Sequence, residues 1–208
     1  MSVKVHKFSS KSSETPYAPV WDYTIAEKKI DIDVDKLADL ILSNRGGNIA
    51  NFFNVLKWDI PVCKDLLNEI KIFHTEYVKN TCGKFNPKLK IRCWSNVMRK
   101  GQDIKQHYHS TKENSYLSGH FTVKCEDSST NYYHPYDHRE YPIENSPNML
   151  TLFPTWVTHG TSIHKGDSER ITIAFDLILE STPLSDLDSY AGEVSRNLQN
   201  DNEELVFL

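Results

Sequence analysis

The chain has 208 residues, with 24 Lys and Arg against 28 Asp and Glu, for a formal net charge of −4. This length fits one domain with a proper core, and the absence of a basic excess makes duplex nucleic acid an unlikely partner. No apolar run approaches the length of a membrane span, and residues 1–13 are too polar for a signal peptide. The cysteines form no Cys-x-x-Cys pair, which argues against a zinc ribbon and predicts reduced thiols in a cytoplasmic protein. They are Cys63, Cys82, Cys93 and Cys125.

The first part of the chain predicts two helices. Residues 1–15 are rich in Ser and Lys and are predicted to be disordered, and residues 19–32 alternate weakly, as an edge strand does. Residues 35–44 and 61–81 carry apolar side chains at helical spacing, with Gly46 and Gly83 placed to end the helices.

Strands are predicted after Pro87, because apolar and polar residues then alternate in short runs. The predicted strands are residues 88–100, 104–110, 115–125, 149–153, 157–164 and 170–179. Residues 126–148 form a long polar and aromatic stretch, predicted to be a mobile lid or substrate loop. Residues 181–208 form an acidic tail.

Helices followed by at least six strands predict an α+β protein whose β part closes as a double sheet or barrel. We expect a single domain over residues 16–180, with a helical part at 35–83 and the β core at 88–180. Such a jelly roll brings together strands that are distant in sequence.

Two histidines, His107 and His109, would share one face of a strand, because alternate side chains point the same way. His159 follows on a later strand that a jelly roll could place opposite them. Neutral imidazoles suit iron, copper, nickel and zinc, and three ligands leave positions open for substrate and dioxygen. The plainer alternative is a polar strand face without a metal.

A possible anion anchor lies at Arg170, with Thr172 on the same face of the predicted strand. Arg can hold the far carboxylate of a dicarboxylate by two parallel charge-assisted hydrogen bonds, and a Thr hydroxyl can add a third. Alone, Arg170 would more simply form a surface salt bridge.

Taken together, these motifs resemble the Fe(II)- and 2-oxoglutarate-dependent oxygenases, particularly the prolyl-4-hydroxylase-like branch. The similar features span about residues 89–175 and are closest to those of a group of uncharacterised bacterial and phage oxygenases. They are Trp94-Ser-Asn96, residues 101–109, Leu117-Ser-Gly119, residues 152–159 and Arg170-x-Thr172.

The resemblance implies a double-stranded β-helix (jelly roll) core with the N-terminal helices packed on one sheet. It makes His107 and His159 iron ligands, and it makes Arg170 with Thr172 the 2-oxoglutarate clamp. His109 stands where most of the wider superfamily has Asp or Glu, which leaves His109, Glu113 or Asp103 as the third ligand. We prefer His109.

Six further residues are predicted to line the site. Asn96 and Ser118 are assigned to the cosubstrate, and a second set is assigned to the substrate. That set is Trp94, His120, Tyr133 and Trp156.

The resulting hypothesis is a dioxygenase that hydroxylates or demethylates a small molecule or peptide and releases succinate and carbon dioxide. A three-His cupin-type dioxygenase that does not use 2-oxoglutarate remains an alternative. So does a non-catalytic jelly roll that binds carbohydrate or builds a virion.

Overall fold

The computed structural model describes residues 2–10, 15–44, 50–51, 55–85, 87–182 and 206–207. Helix α1 spans Val34–Ser43 and helix α2 spans Pro61–Thr81. Asp33 caps α1 by accepting a hydrogen bond from the backbone N–H of Lys36 at 3.0 Å. Pro61 sits in the first turn of α2, where its missing N–H leaves no hydrogen bond unmade. Both predicted helices are confirmed, whereas Gly46 lies outside the described residues.

The β part consists of two antiparallel sheets. The large sheet has the order β1-β2-β8-β5-β10-β4-β11, with β3 beside β4, and the small sheet has the order β7-β6-β9. Their bounds are β1 Lys4–Ser9, β2 Asp22–Lys29, β3 Ala50–Asn51, β4 Leu89–Met98, β5 Leu117–Lys124, β6 Ser129–Tyr133, β7 Glu140–Glu144, β8 Met149–Pro154, β9 His159–Thr161, β10 Arg170–Leu179 and β11 Val206–Phe207. A short 3-10 helix, Val55–Lys57, precedes α2. The architecture is the predicted α+β double-stranded β-helix.

The large sheet packs one apolar face against the helices, and strand β10 shows the division between its two faces most clearly. Its odd-numbered residues, such as Ile173 and Phe175, are buried in the main core together with Leu66 and Phe73 of α2. The even-numbered residues point to the opposite side, which we call the inner face because it faces away from the helices. Alternation along a strand produces this division, and it positions the site.

Three predicted segments differ in the structure. Residues 4–9, expected to be disordered, pair with β2 as an edge strand. Residues 104–110, expected to be a strand, are irregular and form only an isolated bridge between His107 and His159. Within residues 126–148, strands β6 and β7 form a paired hairpin, so the predicted loop is largely wrong. Pro142 lies in β7, at the edge of its sheet, where a strand tolerates a residue without an N–H.

The end of the predicted acidic tail touches the large sheet. Val206–Phe207 pairs with β4, while residues 183–205 lie outside the described part of the chain. Among the helices of the described residues, none combines the length and the apolar character needed to cross a bilayer. The division of the chain into tail and domain stays a prediction.

Candidate metal centre

Three histidines converge at one end of the inner face. His107 and His159 exchange two backbone hydrogen bonds of 2.9 and 2.8 Å, and the backbone N–H of His109 donates to the carbonyl of Thr155 at 2.9 Å. Gly160 permits this approach, because a Cβ there would lie 2.9 Å from the carbonyl oxygen of Ile104. The backbone thus joins the segment that carries two imidazoles to the strand that carries the third.

The ring spacing suits a single ion. Ring centroids are 4.4 Å apart for His107 and His159, 5.1 Å for His109 and His159, and 5.3 Å for His107 and His109. One nitrogen from each ring lies within 4.8 Å of the others. Imidazoles that share an ion at roughly 2.1 Å have nitrogens about 3 Å apart, so small rotations of these rings would suffice.

The two alternative carboxylates do not join this group. Among the described residues, His107, His109 and His159 are the set of metal-binding side chains close enough to share one ion. Asp103 pairs with Lys105 at 2.8 Å instead. The geometry therefore favours three imidazoles over two imidazoles with Glu113 or Asp103.

Hydrogen bonds determine which nitrogen of each ring can face a metal. Nδ1 of His107 lies 2.7 Å from the carbonyl of Lys105, and Nδ1 of His159 lies 3.0 Å from the carbonyl of Val157. A carbonyl oxygen only accepts, so both Nδ1 atoms donate, which leaves the Nε2 lone pairs for an ion. Nδ1 of His109 lies 2.5 Å from the Asp176 carboxylate.

Burial favours the neutral rings of His107 and His159. It lowers the pKa of His159 well below its usual value, with further lowering from the neighbouring His107 and His109. Burial, followed by His109, also lowers the pKa of His107. Because a metal requires the neutral imidazole, both rings are ready to ligate at neutral pH.

The inner face of β10 has a small, partly exposed side chain near its centre. Ala174 is partly exposed although it lies in the middle of β10, between strands on both sides. Across the sheet, Ala174 lies between Trp94 on β4 and His120 on β5. Two residues earlier, Thr172 lies between Asn96 and Thr122 in the same way. A small residue at this position leaves room for a ligand.

Arg170 lies on the same face and is only 2% exposed. Its Nε donates to the Ser128 hydroxyl at 3.1 Å, and Nη2 donates to the Asn145 carbonyl at 3.1 Å in the amide orientation that satisfies both Asn145 groups. No described carboxylate forms an ion pair with it, and Nη1 has no hydrogen-bond partner. Burial lowers the pKa of Arg170 to about 10, so the guanidinium stays charged at neutral pH. A buried charge without a counterion is costly, and an anionic ligand would relieve that cost.

Two more buried polar atoms lack partners on this face. They are Nδ1 of His120 and the hydroxyl of Thr122, both on β5. Burial, with the Arg170 charge second, lowers the pKa of His120 to about 3, so its ring is neutral. Together with Arg170, these atoms form a site suited to a carboxylate.

Four of the predicted site residues lie on this face. Thr172 and Asn96 are side by side on the inner face, and Trp94 lies 5.5 Å from His109 between ring centroids. Ser118 also lies on this face, but its hydroxyl donates to Asp176 at 2.6 Å, behind His109. The hydroxyl proton of Ser118 is thus already donated to Asp176, and the predicted contact of Ser118 with a cosubstrate stays a prediction.

The other two predicted substrate residues have structural partners. Tyr133 donates to Glu140 at 2.8 Å across the β6–β7 hairpin. Trp156 packs edge-on against Tyr23, with ring centroids 5.4 Å apart. Neither contact places these residues at the three histidines, and their roles stay predictions.

Asp176 is the main site residue that the sequence reading missed. It is fully buried, and its carboxylate also accepts a hydrogen bond from Arg92 at 3.2 Å. Burial alone would raise the pKa of Asp176, but His109, Arg92 and Ser118 together hold it well below the usual value. A lone carboxylate in an apolar strand, on the face of Arg170 and Thr172, was a usable signal.

No protein-family model matches the chain, and no curated protein matches it in sequence. Solved structures do match. AviO1 from Streptomyces viridochromogenes Tue57 aligns with a TM-score of 0.59 at 13% identity, covering 76% of this chain and 91% of that one. A Pseudomonas putida prolyl-4-hydroxylase aligns at 0.56 and 10% identity, covering 76% and 93%. The viral collagen prolyl hydroxylase of Paramecium Bursaria Chlorella virus-1, solved as a 2-oxoglutarate complex, aligns at 0.50 and 13% identity, covering 73% and 94%. At these identities the likeness establishes a shared fold.

Proposed function

We propose that the protein is an Fe(II)- and 2-oxoglutarate-dependent dioxygenase. It hydroxylates a small molecule or peptide, or demethylates it through hydroxylation, with dioxygen consumed and succinate and carbon dioxide released. His107, His109 and His159 would hold the metal through Nε2. Arg170, with Thr172 beside it, would hold the far carboxylate of the cosubstrate. The bound metal and cosubstrate supply the oxidising power, and the protein supplies orientation and a water-poor pocket.

The observation that carries this proposal is the buried, unpaired Arg170 on the same face as the three imidazoles. A metal site alone would not need a guanidinium without a counterion at 2% exposure. A guanidinium with Nη1 left without a partner can recognise a carboxylate with two hydrogen bonds. A dicarboxylate could contact both the metal and this Arg.

Neighbouring side chains are arranged to orient a ligand. The neutral His120 ring has Nε2 at 3.4 Å from both the Tyr132 and Thr130 hydroxyls, which holds the ring while Nδ1 remains available. Phe153 packs against His159 with centroids 4.7 Å apart and shields one side of the metal position from water. These contacts support a preorganised pocket.

The three-imidazole set also favours a second candidate, a dioxygenase that uses no 2-oxoglutarate. Such an enzyme has a metal site of this composition but does not need a buried Arg to hold a carboxylate. Arg170 therefore separates the two hypotheses, and binding of 2-oxoglutarate decides between them.

Calorimetric titration of 2-oxoglutarate into the manganese-loaded protein tests the proposal. A charge-assisted bond contributes roughly 1.5–3 kcal/mol, so Arg170→Ala should weaken binding by about tenfold to several hundredfold. Arg170→Lys should recover only part of the loss, because an ammonium cannot reproduce the planar fork. Manganese binding should be unchanged in both variants.

Arg139→Ala is the matched control, because Arg139 is exposed and paired with Asp137 at 2.7 Å on the hairpin. It should bind 2-oxoglutarate as tightly as wild type. If wild type does not bind 2-oxoglutarate, or Arg170→Ala binds it equally well, the proposal fails and the three-His dioxygenase is favoured.

A cytoplasmic location is part of the proposal. Cys82 is exposed and Cys125 is partly exposed, and neither forms a disulfide, as is common in a reducing compartment. Fractionation of the producing cells, followed by immunodetection, tests this location directly.

A further inference from the structure

Asp176 connects the large sheet to the metal centre through one ring. Its Oδ1 accepts hydrogen bonds from Nδ1 of His109 at 2.5 Å and from the Ser118 hydroxyl at 2.6 Å. Its Oδ2 accepts a hydrogen bond from Arg92 at 3.2 Å. Arg92 and Ser118 are its direct neighbours on β4 and β5, so three adjacent strands hold this carboxylate in place.

We infer that Asp176 is a positioning residue that makes His109 a competent third metal ligand. By accepting from Nδ1, the carboxylate fixes the tautomer in which Nε2 carries the lone pair, and it makes the ring a stronger donor to the metal. The negative charge that a ligating Asp or Glu would bring is thereby placed one ring away from the ion. This inference rests on the proposed metal site.

The acceptor of His109 differs from those of the other two rings. His107 and His159 each donate Nδ1 to the carbonyl two residues before them, those of Lys105 and Val157. The equivalent carbonyl for His109 is that of His107, which already accepts the backbone N–H of His159 at 2.8 Å. His109 takes its acceptor, the Asp176 carboxylate, from β10 instead.

A purely structural Arg92–Asp176 ion pair would not require these contacts. A buried ion pair on a sheet needs only its two members and hydrogen bonds to satisfy them. Here Oδ1 is turned to the metal side, where it accepts from His109, while Oδ2 meets Arg92. The pair holds the buried carboxylate in place, with Oδ1 against the ring of His109.

Asp176→Asn is the informative substitution, because an amide has one acceptor and one donor end. If its oxygen faces His109, its NH₂ group meets the guanidinium of Arg92, donor against donor. If its NH₂ group faces His109, Nδ1 must accept, and the proton then occupies Nε2, where the metal should bind. Either orientation weakens the third ligand.

The measurement is anaerobic Fe(II) titration of the metal-free protein, without cosubstrate. Loss of an outer hydrogen-bond partner typically costs 10- to 100-fold in metal affinity, and we expect that range for Asp176→Asn. The midpoint potential of the bound iron should also rise, because loss of negative charge disfavours Fe(III). A role confined to folding would not shift the potential in this direction.

Glu27→Gln is the matched control. Glu27 is a buried carboxylate, 5% exposed, whose partners are His6 at 2.7 Å and Lys4 at 3.6 Å. Its Fe(II) affinity and iron potential should equal those of wild type. Circular dichroism of each metal-free variant checks that the fold is kept.

The outcomes separate this inference from the proposed function. If wild type binds no Fe(II), the metal site itself is wrong. If wild type binds Fe(II) and Asp176→Asn binds it equally well at an unchanged potential, only the role of Asp176 is wrong.

A second measurement covers the case in which Asp176→Asn does not fold. Long-range ¹H–¹⁵N spectra of zinc-loaded wild type, labelled at histidine, report the tautomer of each ring. We expect His109 to carry a proton on Nδ1 and the metal on Nε2. An unprotonated Nδ1, or a ring without metal, would overturn the inference.

Discussion

The two buried arginines of the inner face should respond to different extents to replacement by Met. Arg92 is paired with Asp176 at 3.2 Å, whereas Arg170 has no ion pair with a described carboxylate. Arg92→Met leaves the Asp176 carboxylate buried without its counterion, and breaking a buried pair in this way costs about 3–5 kcal/mol. The free energy of unfolding should fall by that amount.

Arg170→Met removes an uncompensated charge. Burial lowers the pKa of Arg170 from its usual value to about 10, which corresponds to about 3 kcal/mol against the charged form. Its loss offsets part of the lost hydrogen bonds to Ser128 and Asn145, which come from a charged group and contribute about 1.5–3 kcal/mol each. The free energy of unfolding should therefore fall by no more than about 3 kcal/mol.

Urea denaturation of the metal-free proteins at neutral pH, without 2-oxoglutarate, measures both values. The reasoning requires Arg92→Met to be clearly less stable than Arg170→Met. Equal destabilisation of the two variants would mean that Arg170 has a structural counterion, and its assignment as a ligand anchor would then lose its basis.

Three further outcomes are expected. The His107→Ala and His159→Ala variants should each lack bound Fe(II), as measured by elemental analysis, while keeping a wild-type circular dichroism spectrum. Full metal content in either variant would contradict the assignment of these residues as ligands. Because the pKa of His120 is lowered from 6.5 to about 3, the unfolded chain takes up the extra proton between these values. The contribution of the neutral ring to the free energy of unfolding is thus complete above pH 6.5 and declines below it by about 1.4 kcal/mol per pH unit. Urea denaturation at several pH values should show a shallower decline for His120→Gln than for wild type. Identical slopes would contradict this. Strand β6 is hydrogen-bonded on both sides, so its backbone amide hydrogens should exchange slowly with solvent in the absence of ligands. Fast exchange that becomes slow when cosubstrate is added would instead support a mobile lid.

Local pattern was sufficient to predict several elements of the structure. The alternation from Arg170 to Leu179 correctly divided β10 into an apolar face and a face with Arg170 and Thr172. Helix α2 was also predicted at its observed bounds, because its apolar spacing and its Pro61 are local signals. These features depend on neighbours within a few residues.

The errors arose where distant contacts decide the structure. The hairpin of β6 and β7 contains Ser, Asn, Glu and Pro142, which suggest a loop, yet buried Tyr132 fixes β6 in the sheet against Phe153, with ring centroids 5.2 Å apart. Residues 104–110 lack strand geometry, and the two imidazoles converge through the bridge to His159 rather than through strand alternation. The contact of His109 with Asp176 joins positions 67 residues apart, which no local pattern reveals.

The central claim is that one site holds both a metal and 2-oxoglutarate, and an anaerobic optical titration tests it directly. Chelation of Fe(II) by the keto acid end of 2-oxoglutarate should produce a visible charge-transfer band in wild type only when both are present. The band should be absent from His159→Ala, and in Arg170→Ala it should appear only at higher 2-oxoglutarate concentrations. A wild-type protein that binds Fe(II) but shows no band at any 2-oxoglutarate concentration would contradict the claim.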